Sequence, residues 1–218
     1  MSVIDHVVIA GPDLAELERW FAELTGVEPS PGGAHTGAGT RNALAALGPR
    51  TYVELIGPDP EQPEPPRPRP FAVDRVAGPT LTTFAVWPDD IDRALVRLRD
   101  EVGIDLGGVR DMSRRRPDGV ELSWRLTASV LPAHGGVFPF LIDWGTTAHP
   151  AATAATGCGL DTLVLRHPEP DRVAAALAVV GLDDDPTVTV EEGADPGLEL
   201  RLETPRGPVT VVAGPDQR

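Results

Sequence analysis

The sequence predicts an α+β protein in which repeated βαβββ modules form curved, mostly antiparallel sheets around a cavity, with the helices outside. Three observations predict it. A strand-then-helix phrase recurs three times, at VIDHVVIA followed by LAELERWFAELTG, at LTTFAVWPDDIDRALVRLRDEVG and at GLDTLVLRHPEPDRVAAALAVVGL. Each phrase is followed by short β-rich runs separated by turn residues. A single module of this kind leaves one sheet face bare, so at least two must pair to cover it.

Residues 3–10 form an apolar, β-branched run that reads as a strand. Asp13 can cap the following helix, with Glu16 three residues on as a capping box prefers. Leu14, Leu17, Phe21 and Leu24 then share one helix face, and Gly26 supplies the left-handed stop. RNALAALG and TYVELIG follow as strands. Residues 57–70 read GPDPEQPEPPRPRP. Alternating prolines stiffen a chain toward polyproline II and exclude helix and central strand, which makes this stretch a connector. In the second phrase residues 81–87 are a strand, Pro88 and Asp89 open the helix and Gly103 ends it. VRDMSRR, a Pro117-Asp118-Gly119 turn, VELSWRLTASVL and VFPFLIDWG complete that unit. In the third, the strand is 160–166 and the helix runs from near Asp171 to Gly181. TVTVEE, LELRLETP and PVTVVAG follow it. The modules therefore span 1–57, 79–146 and 158–214, with 58–78 as the connector.

Composition narrows the chemistry. The charge is 19 − 33 = −14 over 218 residues, which should repel phosphate backbones and anionic lipid. Neither nucleic acid nor a membrane is an expected partner. Every basic residue is arginine, so Schiff-base chemistry and a P-loop lysine are excluded. Cys158 is the single cysteine, and packing is its default role. No run approaches the ~18 apolar residues that span a bilayer and no secretory leader is visible, which places the chain in the cytoplasm. There is no GxSxG elbow. The glycines of PGGAHTGAGT do not fit a dinucleotide fingerprint, because a strand follows where a helix should begin. Arg114, Arg115 and Arg116 before the turn read as a solvated hairpin tip or as an anion clamp.

An ordered set of matches points to a family. The chain carries Asp5-His6-Val7-Val8-Ile9, then His35 with Gly39-Thr40, Asn42-Ala43-Leu44, and Tyr52-Val53-Glu54-Leu55-Ile56. Further on come Leu122, Trp124-Arg125, Pro139, Leu141-Ile142, Trp144, His149-Pro150, Gly157-Cys158 and Thr204-Pro205-Arg206-Gly207-Pro208. Together these resemble the glyoxalase-like domain branch of the vicinal oxygen chelate superfamily. That superfamily includes glyoxalase I, extradiol dioxygenases, methylmalonyl-CoA epimerase and the fosfomycin and bleomycin resistance proteins. The resemblance implies that each module offers a metal ligand from its first strand and another from its last. His6 and Glu54 match in the first module. Thr82 stands opposite His6 in the second; Thr162 and Val211 hold both positions in the third, which therefore reads as structural.

His6 alone, inside an apolar strand, is more often a core residue than a ligand. Glu54 is harder to dismiss, since a buried carboxylate needs a partner. Together they are the candidate catalytic pair and suit divalent Mn, Fe, Co, Ni or Zn. Asp143 on the last strand of the second module, or His35, would be the third ligand. His35, Thr40, Asn42, Trp124, Arg125 and Trp144 are the candidate substrate contacts, an orienting polar set with an aromatic wall and a guanidinium. The expected function is a metal-dependent lyase, isomerase or dioxygenase acting on a small oxygen-rich molecule, with no organic cofactor. The alternative is a metal-free small-molecule binding protein of the drug-sequestering type. A homodimer is compatible with either.

Overall fold

The computed structural model describes residues 3–116, 118–128 and 133–212. The first unit comprises β1 (Val3–Ala10), α1 (Leu14–Thr25), β2 (Ser30–His35), β3 (Thr40–Gly48) and β4 (Thr51–Pro58). The second comprises β5 (Thr80–Trp87), α2 (Ile91–Arg97), β6 (Val109–Arg115), β7 (Glu121–Thr127) and β8 (Phe140–Asp143). Their eight strands close into a barrel in the order β1-β4-β3-β2-β6-β7-β8-β5. Each half repeats the same sub-order, its first strand parallel to its last, so the halves are related as two copies of one unit. Closure removes both sheet edges and leaves an interior for a ligand.

The helices form where the local signals lie. Asp13 accepts a hydrogen bond from the Glu16 N–H at 3.0 Å, and Gly26 adopts φ 78° to end α1. Asp90 caps α2 in the same way, one residue later than the sequence suggests, and a wider turn carries the chain to Gly103. Both helices pack outside the barrel. Ile4, Val7 and Ile9 of β1 and Phe84 and Val86 of β5 face this outer core, with Leu17 and Phe21 of α1 and Leu98 beyond α2.

The remaining unit, β9 (Gly159–His167), α3 (Pro170–Val180), β10 (Val188–Glu192), β11 (Gly197–Glu203) and β12 (Val209–Val212), stays out of the barrel. Its sheet runs β10-β9-β11-β12, so its first strand lies beside the strand after the helix and not beside its last. Leu163, Leu165, Leu198, Leu200 and Leu202 from this sheet join the same outer core. Among the described residues no helix is long and apolar enough to cross a membrane.

Two features of the barrel bear on the site. In the β1–β5 ladder Ile4 pairs with Val86 and His6 with Ala85, leaving Asp5 without a partner. This bulge lets Asp5 and His6 both point away from the outer core, where simple alternation would separate them. Secondly, the proline-rich connector is no free tether. Arg69 donates to the Gly39 carbonyl at 2.9 Å, and Gln62 bridges Asp59 and the Thr40 carbonyl. A side chain at Gly39 would strike Pro65, so only glycine lets this strap lie against the loop. Phe71, held at φ 58°, drives its ring into the barrel against Phe140. A bulky residue there is strained, and burial of its ring offsets the strain.

Candidate functional site

The barrel encloses a cavity of about 540 Å³. Its first-half wall is polar: His6, His35, Asn42, Tyr52 and Glu54 all line it. The second half contributes Trp124, Leu126, Phe140, Ile142 and Trp144, and the strap from Pro65 to Phe71 covers the mouth.

Glu54 is the centre of the polar cluster. Its Oε1 accepts a hydrogen bond of 2.5 Å from Asn42 Nδ2, and its Oε2 lies 3.5 Å from His6 Nε2. The amide orientation follows from its neighbours. Arg114 Nη1 can only donate, and it donates to Asn42 Oδ1 at 2.8 Å, so Nδ2 must face the carboxylate. Gly32 makes this possible, because a Cβ there would overlap both Asn42 and Arg114. The same Nδ2 lies 3.3 Å from His35 Nε2, which must therefore accept, and His35 Nδ1 donates to Thr40 Oγ1 at 3.0 Å. Burial, with Arg114 and His6 adding to it, pushes His35 down to about 4 against the pull of Glu54, so the ring is neutral at neutral pH.

Asp5 organises the other side. It is fully buried and accepts from His6 Nδ1 at 2.6 Å, Trp144 Nε1 at 2.9 Å and His149 Nε2 at 3.0 Å. His149 Nδ1 accepts the Ala151 N–H, which leaves the proton on Nε2 for Asp5. Burial raises the Asp5 carboxyl, but the hydrogen bonds from His149 and His6 outweigh it and hold Asp5 below the usual carboxylate range. Asp5 thus accepts from the Nδ1–H of His6, which leaves Nε2 as the ring nitrogen that faces Glu54 Oε2. Tyr52 stacks on the His6 ring with centroids 4.7 Å apart. Burial, reinforced by Asp5 and Glu54, pushes its hydroxyl well above the ordinary range, so it keeps its proton.

The structure moves three expected residues. Arg125 and Asp143 do not line the cavity; they face an outer groove, 3.8 Å apart, where Arg125 pairs with Asp92 and Asp143 accepts from the Gly145 N–H. The reason is strand alternation. Trp124, Phe140 and Ile142 point inward, so Arg125 and Asp143 must point outward, and Asp143 cannot complete a metal site. Thr40 is buried behind His35 and positions that ring without reaching the cavity. Thr82, aligned with His6, also faces away and donates to the Val8 carbonyl. Asp5, Tyr52 and the strap were not among the expected site residues; Arg114, read with Arg115 and Arg116 as a hairpin tip or an anion clamp, is instead buried against Asn42. The signal for Asp5 was its place beside His6, but only the bulge turns it inward.

A divalent metal can be tested against these donors. An imidazole nitrogen and a carboxylate oxygen with bonds of about 2.1 Å at tetrahedral angles lie roughly 3.4 Å apart. The His6–Glu54 separation of 3.5 Å meets that requirement. A carboxylate hydrogen-bonded to the distal nitrogen is the usual support for a ligating histidine, and Asp5 supplies it. Among the described residues, no group of three His, Cys, Asp or Glu side chains is placed to hold an ion. His35 Nε2 lies 3.6 Å from Glu54 Oε1, but its lone pair is taken by Asn42. The residues fit a metal held by two protein donors with its remaining positions open.

Comparisons with known proteins agree with the architecture. A Staphylococcus aureus protein described only as hypothetical superposes with a TM-score of 0.62 at 14% identity, covering 90% of this chain and 88% of its own. Methylmalonyl-CoA epimerase from Mycobacterium tuberculosis overlaps at a TM-score of 0.32 and 23% identity, over 56% of this chain and 77% of its own. A variant of 4-hydroxymandelate synthase from Streptomyces coelicolor gives 0.40 and 18%, over 99% and 63%. The last two superpositions are loose, and neither informs the chemistry here. The search of curated proteins yields no match. The family described as Glyoxalase-like domain matches residues 4–181. Because that match runs from β1 through α3 and so spans the whole barrel, the chain belongs to the Glyoxalase-like domain family.

Proposed function

We propose that the protein is an enzyme that acts on a small, oxygen-rich molecule inside the barrel, with His6 and Glu54 holding a weakly bound divalent metal. The observation that carries this reading is the convergence of His6 Nε2 and Glu54 Oε2, 3.5 Å apart and both buried, beside a cavity. With His6 deprotonated at Nε2, a nitrogen and an oxygen at that separation can share one divalent cation. The local charge points the same way, since Asp5 and Glu54 contribute two carboxylates and Arg114 one guanidinium.

When bound, such a metal supplies Lewis-acid polarisation of adjacent substrate oxygens. The chain's own groups do the rest. Asp5 keeps the His6 proton on Nδ1, and Asn42 occupies Glu54 Oε1, so that Oε2 is the free oxygen. Arg114 locks the Asn42 amide in that orientation. Tyr52, protonated, can donate a hydrogen bond to a substrate oxygen. Trp124, Phe140 and Trp144 pack the carbon skeleton, and the strap excludes water.

The test is a cobalt titration of chelator-treated protein. Co(II) should raise the melting midpoint and develop a visible ligand-field band in the wild type, and neither should occur in His6→Ala or Glu54→Ala. Absence of both signals in the wild type would overturn the metal reading. The apolar second-half wall favours the other reading, a metal-free binding protein. That reading is supported if small oxygenated aromatics raise the midpoint equally with and without metal and no turnover is detected.

A further inference from the structure

Three arginines line this one cavity: Arg67 from the strap, and Arg110 and Arg114 from β6. Residues four apart on a strand share a face about 13 Å apart, so Arg114 lies deep, on Asn42, and Arg110 near the mouth. In a chain with 33 acidic residues, most guanidinium groups find a carboxylate. Arg69, two residues beyond Arg67, is clamped by Glu64 and Asp74, each at 2.7 Å. Among the described residues, Arg67 and Arg110 have no carboxylate or hydrogen-bond partner for their guanidinium groups, and Arg110 Nε is buried. Burial and then the like charge of Arg67 pull Arg110 below its ordinary range, so the two groups are close enough to repel. Two unpaired cations facing one cavity from different elements make a site for an anion.

We propose that the substrate carries an oxyanion, a carboxylate or phosphoryl group, at its outer end, and that Arg67 and Arg110 receive it at the cavity mouth. This rests on the cavity being the substrate site. The substrate is then two-ended: oxygens at the His6–Glu54 floor, a carbon skeleton along the aromatic wall, and an anion under the strap. The subsite also gives the strap a role, since Arg67 reaches the anion only where the proline-rich segment lies against the barrel.

Matched probes test it by calorimetry: dihydroxyacetone phosphate against dihydroxyacetone, and succinic semialdehyde against butyraldehyde. In at least one pair the anionic member should bind about ten-fold tighter or better, as expected of hydrogen bonds to a charged group. The preference should vanish in Arg67→Gln/Arg110→Gln, survive in Arg67→Lys/Arg110→Lys, and weaken in high salt. Which pair shows it separates phosphoryl from carboxylate. Equal affinity within both pairs, no binding of any probe, or a preference that survives in the glutamine variant overturns the proposal. Repeating the series in Glu54→Gln with chelator keeps the two readings apart. A preference that persists there, with Co(II) inert in the wild type, removes the metal and leaves the anion subsite.

Discussion

The two halves of the barrel are built on one plan and furnished in opposite ways. On the first half, His6, Asn42, Tyr52 and Glu54 project into the cavity from β1, β3 and β4. On the second, Phe140, Ile142, Leu122, Trp124 and Leu126 occupy the inward positions of β8 and β7. His6 marks the seam, stacked on Tyr52 of its own half and edge-on to Phe140 of the other at 5.3 Å. A repeated fold needs both copies to close the barrel, but it needs the carboxylate–imidazole cluster in only one. In the second copy β7 and β8 form an apolar wall while β6 adds Arg110 and Arg114, and that wall lowers the local dielectric and strengthens the electrostatic contacts beside it.

The most severe way to break the polar half is at Asp5. Asp5→Ala strips the acceptor from three buried N–H groups, on His6, His149 and Trp144. Urea denaturation should show a loss of about 3–5 kcal/mol, the scale for breaking a buried charged network. The His6 proton should also migrate to Nε2 and donate to Glu54, which nitrogen NMR of the ring would record. Wild-type stability with an unchanged tautomer would mean that Asp5 does not organise this half.

The apolar wall on β7 and β8 should respond in stability and not in chemistry. Phe140→Ala removes a ring packed between His6 and Phe71 and should cost about 3 kcal/mol through the cavity it leaves. Co(II) affinity should stay within two-fold of the wild type, roughly 0.4 kcal/mol. A large loss of metal affinity would show that the halves do not divide the work in this way.

Much of this division was legible in the sequence, and the exceptions have physical causes. The caps at Asp13 and Gly26 and the run TYVELIG depend on local pattern, whereas the pairing of His6 with Glu54 came only from what the family resemblance implied. β2 was not legible, because SPGGAH contains residues that strands avoid; it is a strand only because β3 and β6 flank it. Asp5 faces inward through a bulge, which no alternation rule foresees. The strap has no periodicity, so its place over the mouth is fixed only by contacts such as Gly39–Pro65 and Arg69 with the Gly39 carbonyl. The third unit shares the βαβββ element order but not its strand order, a difference invisible to pattern.

Gly32 offers a sharper probe of the first half. Its backbone does not require glycine, but an added Cβ would overlap Asn42 Oδ1 and sit 2.6 Å from Arg114 Nη1. Gly32→Ala should therefore cost about 1–3 kcal/mol by overpacking. It should also free the Asn42 amide from Glu54 and alter metal affinity well beyond what Phe140→Ala does. If the two variants change affinity alike, the Asn42 clamp has no special role.

The smallest expected effect lies one residue out of register. Arg125 and Asp143 occupy the same strands as Trp124 and Ile142 but face the outer groove, where Arg125 is 42% exposed and its bonds to Asp92 are open to solvent. Exposed pairs of this kind contribute about 0–1 kcal/mol. Arg125→Ala and Asp143→Ala should each change stability by less than about 1 kcal/mol and leave both Co(II) and anion affinity at wild-type values. The comparison with Arg110, also an arginine on a strand of the second half, is the informative one. The two differ in facing solvent or cavity, so loss of anion affinity in Arg110→Gln with none in Arg125→Ala would trace recognition to side-chain direction and not to net charge. If Arg125→Ala weakened anion binding as much, the attraction would be a diffuse property of the surface, and the two-ended substrate would lose its support.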